Sequence, residues 1–345
     1  MNIQINDCTI RDGGYLLNKN SDPVFVKGII QGLIASGIDI IESGFLQTKS
    51  NGETIVYRNS TDAMKYMPEN RGDSHFTGFC DNSRYSINEL DNCTGESFDY
   101  LRISFAKHEW KEAVKFAYDA TKKGYKVFVN PMDALGYTAD ERVEVITAVN
   151  AIKPYAFSIV DTFGAMYIED LQRIFIQVND LLDKSIRVGL HSHNNLQLSC
   201  ALAETFIDLA IKADRDIVVD GSLYGMGRGA GNAFTEVIVD YVNKKFGKRY
   251  DENALFDTIE KFIVPLKKNV FWGYDLPMFV CGFESSHVDN VYHLQKLGCT
   301  VREMYGVLDS MEKDKRRRYG SHYSKNDYTE IDKAYKEYKR NGDCK

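Results

Sequence analysis

In Arg187-Val188-Gly189-Leu190-His191-Ser192-His193-Asn194-Asn195 an apolar run of strand length ends in two histidines, and residues able to start a helix follow at once. Side chains two apart on a strand point to the same side, so both imidazoles can face one cation. The run is apolar on both faces, as in parallel strands covered by helices. One such strand–helix unit proves little, but the same unit recurs along the chain.

Strand candidates are Ile3 to Ile10, Asp39 to Phe45, His75 to Cys80, Tyr100 to Phe105, Lys126 to Asn130, Ala156 to Val160, Arg187 to Leu190 and Ile217 to Val219. Helix signals lie between them. Asp22 is an N-cap with Pro23 at the first helical position, and Gly37 stops that helix. Thr138 and Glu141 fit a capping box. Further helices are expected from near Glu109 to Gly124 and after Asn195. Eight successive units favour an α/β fold of the closed (β/α)8 TIM barrel type over an open doubly wound sheet. Residues 46–74 are irregular. The expected organisation is a barrel over residues 1–249 and a mostly helical C-terminal region, 250–345, packed on it. The run Lys313 to Arg318 is expected to be a solvated face, with contact to an anionic substrate tail as the sharper alternative.

Composition narrows the function classes. A formal net charge of −6 offers no basic footprint for nucleic acid. No apolar run reaches the roughly 18 residues of a membrane span. Met1 to Ile5 enters a strand pattern directly, so a secretory signal is not expected. The seven cysteines are scattered, without Cys-x-x-Cys, and read as reduced thiols of a cytoplasmic protein.

Chemistry concentrates at the expected strand ends: Arg11 and Asp12, Glu42, Asp81, Arg102, Asn130, Asp161 and Thr162, His191 and His193, and Asp220. In a barrel these ends meet at one mouth, where active sites are built. His191 and His193 with the Asp12 carboxylate suit a divalent metal, whereas His75, His108, His287, His293 and His322 lack such a partner and default to structural roles. The glycine-rich stretch Gly225 to Asn232 lets backbone approach a ligand, and it is neither a Walker motif nor a dinucleotide fingerprint.

Five motifs carry a resemblance: Asp7-x-Thr9-x-Arg11-Asp12-Gly13, Ile41-Glu42-Ser43-Gly44-Phe45, Asp161-Thr162-Phe163-Gly164, His191-x-His193 and Gly229-Ala230-Gly231-Asn232. In this order they resemble the pyruvate-carboxyltransferase-like (HMGL-like) superfamily of TIM-barrel metallolyases, over residues 3 to about 245. That group includes 3-hydroxy-3-methylglutaryl-CoA lyase, 4-hydroxy-2-oxovalerate aldolase, and isopropylmalate and homocitrate synthases. The opening motif, continued as Gly14-Tyr15, is similar to a bacterial aldolase-like branch of it. The resemblance implies Asp12, His191 and His193 as ligands of a divalent cation, with Asn232 as a nearby or direct fourth ligand. Mn2+ or Mg2+ is expected first, Zn2+ or Co2+ next. It implies that Arg11 stabilises an enolate oxygen, that Thr162 holds the substrate carboxylate, and that Glu42 orders the metal's surroundings.

The chain departs from the family in its proton-transfer groups. Tyr15 stands where the aldolases carry a catalytic histidine, and the glycine-rich loop lacks the cysteine of the coenzyme-A lyases. Tyr15, His287 and Lys107, in that order, are the acid/base candidates. The expected function is a carbon–carbon lyase of aldolase type, acting on a small-molecule 2-oxo acid or 4-hydroxy-2-oxo acid, with a homodimer compatible. The alternatives are an enzyme condensing an acyl-CoA with a 2-oxo acid and a non-catalytic ligand-binding barrel. A two-metal hydrolase would want more histidine and aspartate ligands.

Overall fold

The computed structural model describes residues 1–318 and 328–342, with the side chains of 341 and 342 left aside. Eight parallel strands close a barrel: Ile3–Asp7, Ile40–Leu46, His75–Asp81, Tyr100–Phe105, Lys126–Pro131, Ala156–Asp161, Arg187–Ser192 and Ile217–Gly221. Closure comes from the first strand, which pairs with the last from Ile3↔Ile217 to Asp7↔Gly221 and with the second at Asn6↔Ile40 and Asp7↔Ile41. The second, fourth, sixth and last strands are buried along almost their whole length, the condition of a sheet covered by helices.

The helices form where local chemistry starts them. Asp22 accepts from the Val24 N–H at 2.7 Å ahead of helix Pro23–Ala35, and Gly37 beyond it takes φ +77°. Thr138 and Glu141 exchange backbone hydrogen bonds of 3.2 and 2.7 Å at the start of Ala139–Ile152. The irregular stretch 46–74 holds a two-residue strand, Val56–Tyr57, beside the second barrel strand, and a 3-10 turn, Thr61–Tyr66.

Two expectations are corrected. The first strand ends at Asp7, not Ile10, and Thr9–Gly13 is a helical turn. Asp7 causes the switch: one carboxylate oxygen accepts from the Thr9 N–H at 2.9 Å, the other from the Thr235 hydroxyl at 2.6 Å. Arg11 and Asp12 thus ride on a turn above the strand end. The Lys313–Arg318 run is not uniformly solvated. Arg316 pairs with Glu284 at 3.0 Å, and Arg317 is buried against Asp133 at 2.7 Å. Residues beyond 249 pack into the barrel core. Tyr250, Leu255, Ile259, Ile263 and Trp272 belong to it, because helix Glu252–Thr258 and its continuation pack on Pro23–Ala35 over Gly28 and Gly32. A second core, from Met278 to Ala334, joins the C-terminal helices and takes in Ala230 of the glycine-rich loop. No described helix is long and apolar enough to cross a membrane. His322 and Cys344 lie outside the described residues, and the other six cysteines are free thiols.

Candidate active site

The barrel mouth opens into a cavity of about 650 Å³. On its floor, donor atoms of Asp12, His191 and His193 lie within 4.8 Å of one another. The two imidazoles stand nearly perpendicular, their centroids 5.1 Å apart. Asn232 joins them because the backbone of His193 bridges to Asn232 and the Asn194 N–H donates to Gly231 O at 2.8 Å. The Asn232 amide then donates to Asp12 Oδ2 at 2.6 Å.

Electrostatics leave this group ready to accept a cation. Burial opposes charge on Asp12, but Arg11 and the two histidines, helped by Asn232, hold its carboxyl well below the usual range. Burial lowers the His193 pKa to about 4, so the ring is neutral at pH 7 and presents a lone pair. His191 Nδ1 lies 2.8 Å from Asp220 Oδ2. Donation to that carboxylate leaves Nε2 as the free lone pair, the usual bracing of a ligand histidine.

Two observations test the fit for a metal. Asn232 Oδ1 is buried without a hydrogen-bond donor among the described residues. A Cβ at Gly227 would collide with Asn232 Nδ2 and come within 2.6 Å of Asp12 Oδ2, so only glycine lets the loop close over the group. A carboxylate, two imidazoles and an orphaned amide oxygen fit a divalent cation. The neighbouring cluster Cys8, His191 and Asp220 also brings three donors together, but it fits poorly. Asp220 is already engaged by Arg102, His191 and Asn6, and burial pushes the Cys8 thiol far above its ordinary pKa.

Beneath the floor runs a chain of buried charges. Arg11 bonds Asp12 at 2.7 Å and lies 3.1 Å from Glu42, Glu42 meets Arg102 at 3.1 Å, and Arg102 reaches Asp220. Glu42 is fully buried between the two arginines and does not line the cavity. Arg11 does, with its guanidinium 4.3 Å from the centroid of Phe79.

Of the other expected residues, Thr162, Tyr15 and His287 all line the cavity, and Lys107 does not. Lys107 instead bonds Glu141 at 2.6 Å and Gly136 O at 3.0 Å. The Thr162 hydroxyl accepts from the Asp133 N–H at 2.7 Å. Burial raises the Tyr15 phenol pKa, against the pull of Arg11 and Arg228. His287, read from sequence as structural by default, caps helix Val288–Lys296: its Nδ1 accepts from the Asp289 N–H at 3.2 Å. Burial lowers its pKa to about 3, so the ring is neutral and carries its proton on Nε2. His75 and His293 pair with Asp99 and Asp332.

Sequence reasoning missed the groups that meet the barrel from outside the strand ends. Arg228 lines the cavity, pairs with Asp289 and sits 5.5 Å from the Tyr15 ring. Tyr292 of helix Val288–Lys296 and Tyr328, just ahead of helix Thr329–Gly342, line it too. Arg228 lay inside the quoted glycine-rich stretch, so its place beside the ligand candidates was the available signal.

Fold and site together define a TIM-barrel enzyme whose mouth gathers a carboxylate, two imidazoles and a guanidinium. The HMGL-like family matches residues 99–260. Over 242 residues the chain is 28% identical to an oxaloacetate decarboxylase of Mycobacterium tuberculosis, covering 69% of each chain. Over 282 residues it is 27% identical to a 4-hydroxy-2-oxovalerate aldolase of Thermomicrobium roseum, covering 76% of this chain and 73% of that one. Among solved structures, the N-terminal domain of an aldolase candidate from Bacteroides vulgatus superposes with TM-score 0.73 at 26% identity, over 85% of this chain and 96% of that one. An HMG-CoA lyase of Brucella melitensis shares the fold, with TM-score 0.63 at 15% identity over 78% of this chain and 99% of that one. The chain is a lyase whose residues 99–260 match the HMGL-like family.

Proposed function

We propose that this lyase cleaves a carbon–carbon bond of a 2-oxo acid, such as a 4-hydroxy-2-oxo acid, by way of its enolate, and that a divalent cation is required. The observation that carries the reading is the Asp12, His191 and His193 cluster on the cavity floor with Arg11 beside it. A divalent cation held there, Mn2+ or Mg2+ in the first instance, would polarise the 2-oxo group as a Lewis acid.

The chain's own groups then have distinct tasks. Arg11 is permanently protonated, fixed by Asp12, Glu42 and Phe79, and meets the negative charge that develops on the enolate oxygen. Thr162 accepts from the Asp133 N–H, so its own proton is left for the substrate carboxylate. Glu42 is a positioning residue: it acts through Arg11 and Arg102. His287 is a neutral ring whose Nε2–H can offer a hydrogen bond, while Tyr15 keeps its phenol proton and suits donation to the enolate carbon or to the departing group rather than proton abstraction.

That last point favours a second reading of the same site. Loss of carbon dioxide from a 2-oxo diacid also leaves the enolate of a smaller 2-oxo acid, and it needs a proton donor afterwards but no base beforehand. Retro-aldol cleavage additionally needs a group to take the hydroxyl proton. Both readings share the enolate, and proton exchange tests it. With Mn2+ or Mg2+ added, the methyl protons of pyruvate should exchange with deuterated water. Absence of exchange for pyruvate and other small 2-oxo acids, with metal bound, overturns the enolate reading. Feeding 4-hydroxy-2-oxovalerate and oxaloacetate separately then distinguishes the two reactions.

A further inference from the structure

The main cavity does not end at its rim. A second cavity, of about 520 Å³, shares Lys19, Glu53 and Arg84 with it, so the two adjoin. None of Asp12, His191 and His193 lines the second chamber. A small 2-oxo acid held on the floor of the first would leave it unfilled, because pockets of this combined size enclose much larger ligands.

The lining of the second chamber is selective. Lys19, Lys49 and Arg84 line it together with the carboxylate of Glu53; Arg84 is paired with Asp81 at 3.3 Å, and the balance of the lining stays positive in a chain whose formal net charge is −6. Glu53 is already engaged by the Ser50 hydroxyl at 2.9 Å and the Asn51 N–H at 2.7 Å. The remaining walls are hydroxyls and amides, among them Gln47, Thr48, Ser83 and Ser86, and Tyr85 supplies the one aromatic ring. Apart from Lys19, which follows the first barrel strand, these residues belong to loops that follow the second and third, on the face where barrel enzymes hold their substrates. An apolar acyl chain would desolvate these groups without repaying them with hydrogen bonds. A hydroxylated, negatively charged chain would satisfy them.

We propose that the second chamber binds the part of the substrate that departs from the 2-oxo acid, and that this part is a polyhydroxylated chain bearing an anionic group. The inference rests on the lyase reading above, which supplies the 2-oxo acid end. Phosphate and carboxylate are the two sources of that charge. The test uses unreactive probes, so it does not depend on turnover. The whole protein is titrated calorimetrically, at low ionic strength, with erythritol, D-erythronate and 4-phospho-D-erythronate.

The expected result is that at least one anionic probe binds about tenfold or more tightly than erythritol, and that physiological salt weakens it. Lys49 is exposed, so Lys49→Glu should fold normally and should weaken the anionic probe by about fivefold or more. Binding of the phosphorylated probe alone assigns phosphate, whereas equal binding of both anions assigns a simple carboxylate. The proposal is overturned if erythritol matches the anions, if none of the three binds, or if Lys49→Glu changes nothing. Probe binding without pyruvate proton exchange would instead sink the enolate reading and leave this site standing.

Discussion

The cavity has two unlike halves. The floor is made by strand ends and the turn above Asp7, and its groups are buried and tied to one another in a continuous ionic chain. The far wall comes from the C-terminal helices and the glycine-rich loop, joined by single contacts such as Arg228 with Asp289 and the His287 cap. The floor sets what bond chemistry is available. Under the proposed function the wall adds His287 and Arg228 beside that chemistry. Substitutions in the two halves should therefore fail differently.

The largest effect is expected in the floor. Arg102→Met leaves Glu42 facing Arg11 alone and strips Asp220 of its guanidinium, with both carboxylates still buried. Removing one partner of a buried ionic network costs about 3–5 kcal/mol, which thermal or denaturant unfolding will read. Should the barrel lose less than about 1 kcal/mol, the buried chain is not what fixes the floor. Arg11→Ala, by contrast, should slow turnover by about 10²–10³-fold, as losing a donor to a developing oxyanion does. A change confined to KM would mean that Arg11 only binds substrate.

Asp220→Asn sharpens the contrast further. It keeps the shape of the His191 partner but weakens the charge that orients the ring. Metal affinity should fall by about 10–100-fold, measured by competition with a chelating dye. Unchanged affinity would remove Asp220 from the bracing role.

Both halves carry a histidine whose pKa burial lowers, His193 on the floor and His287 on the wall, and the wall's can be removed without touching the proposed cation site. His287 has a folded pKa lowered from 6.5 to about 3 by burial. In this window the unfolded chain holds more proton than the folded one, so stability rises with pH. The neutral ring's contribution is complete above pH 6.5 and is lost as pH falls from 6.5 toward 3. His287→Gln should flatten this part of the melting-temperature profile. It should also cost about 1 kcal/mol as a lost N-cap, the smallest effect of the set. A profile identical to the parent's would show that His287 does not titrate on unfolding.

The same division explains what the sequence made legible. Strand ends announce themselves, because an apolar run that stops on Asp, Arg or His-x-His has no structural reason to do so. Arg11, Asp12, Thr162, His191 and His193 became candidates that way, Asn232 through the glycine-rich motif, and eight successive strand–helix units supplied the barrel. Even there the turn at Asp7 was hidden, because its cause is a hydrogen bond to Thr235, far along the chain. Arg317 was read as solvated because its partner, Asp133, lies 184 positions away. Arg228, Tyr292 and the loops around Lys49 and Arg84 belong to no periodic pattern, and their meeting in one cavity depends on tertiary packing. Lys107 looked plausible as an acid/base only while its tie to Glu141 was unknown.

The central claim is that Asp12, His191 and His193, not the adjoining Cys8, His191 and Asp220, form the cation site. Diffraction from crystals soaked in Mn2+, recorded at the manganese absorption edge, tests it directly. The account predicts one anomalous peak on the cavity floor, bonded to the Asp12 carboxylate and both imidazoles. A peak seated between Cys8 and Asp220, or none at full Mn2+ loading of the solution, would contradict it.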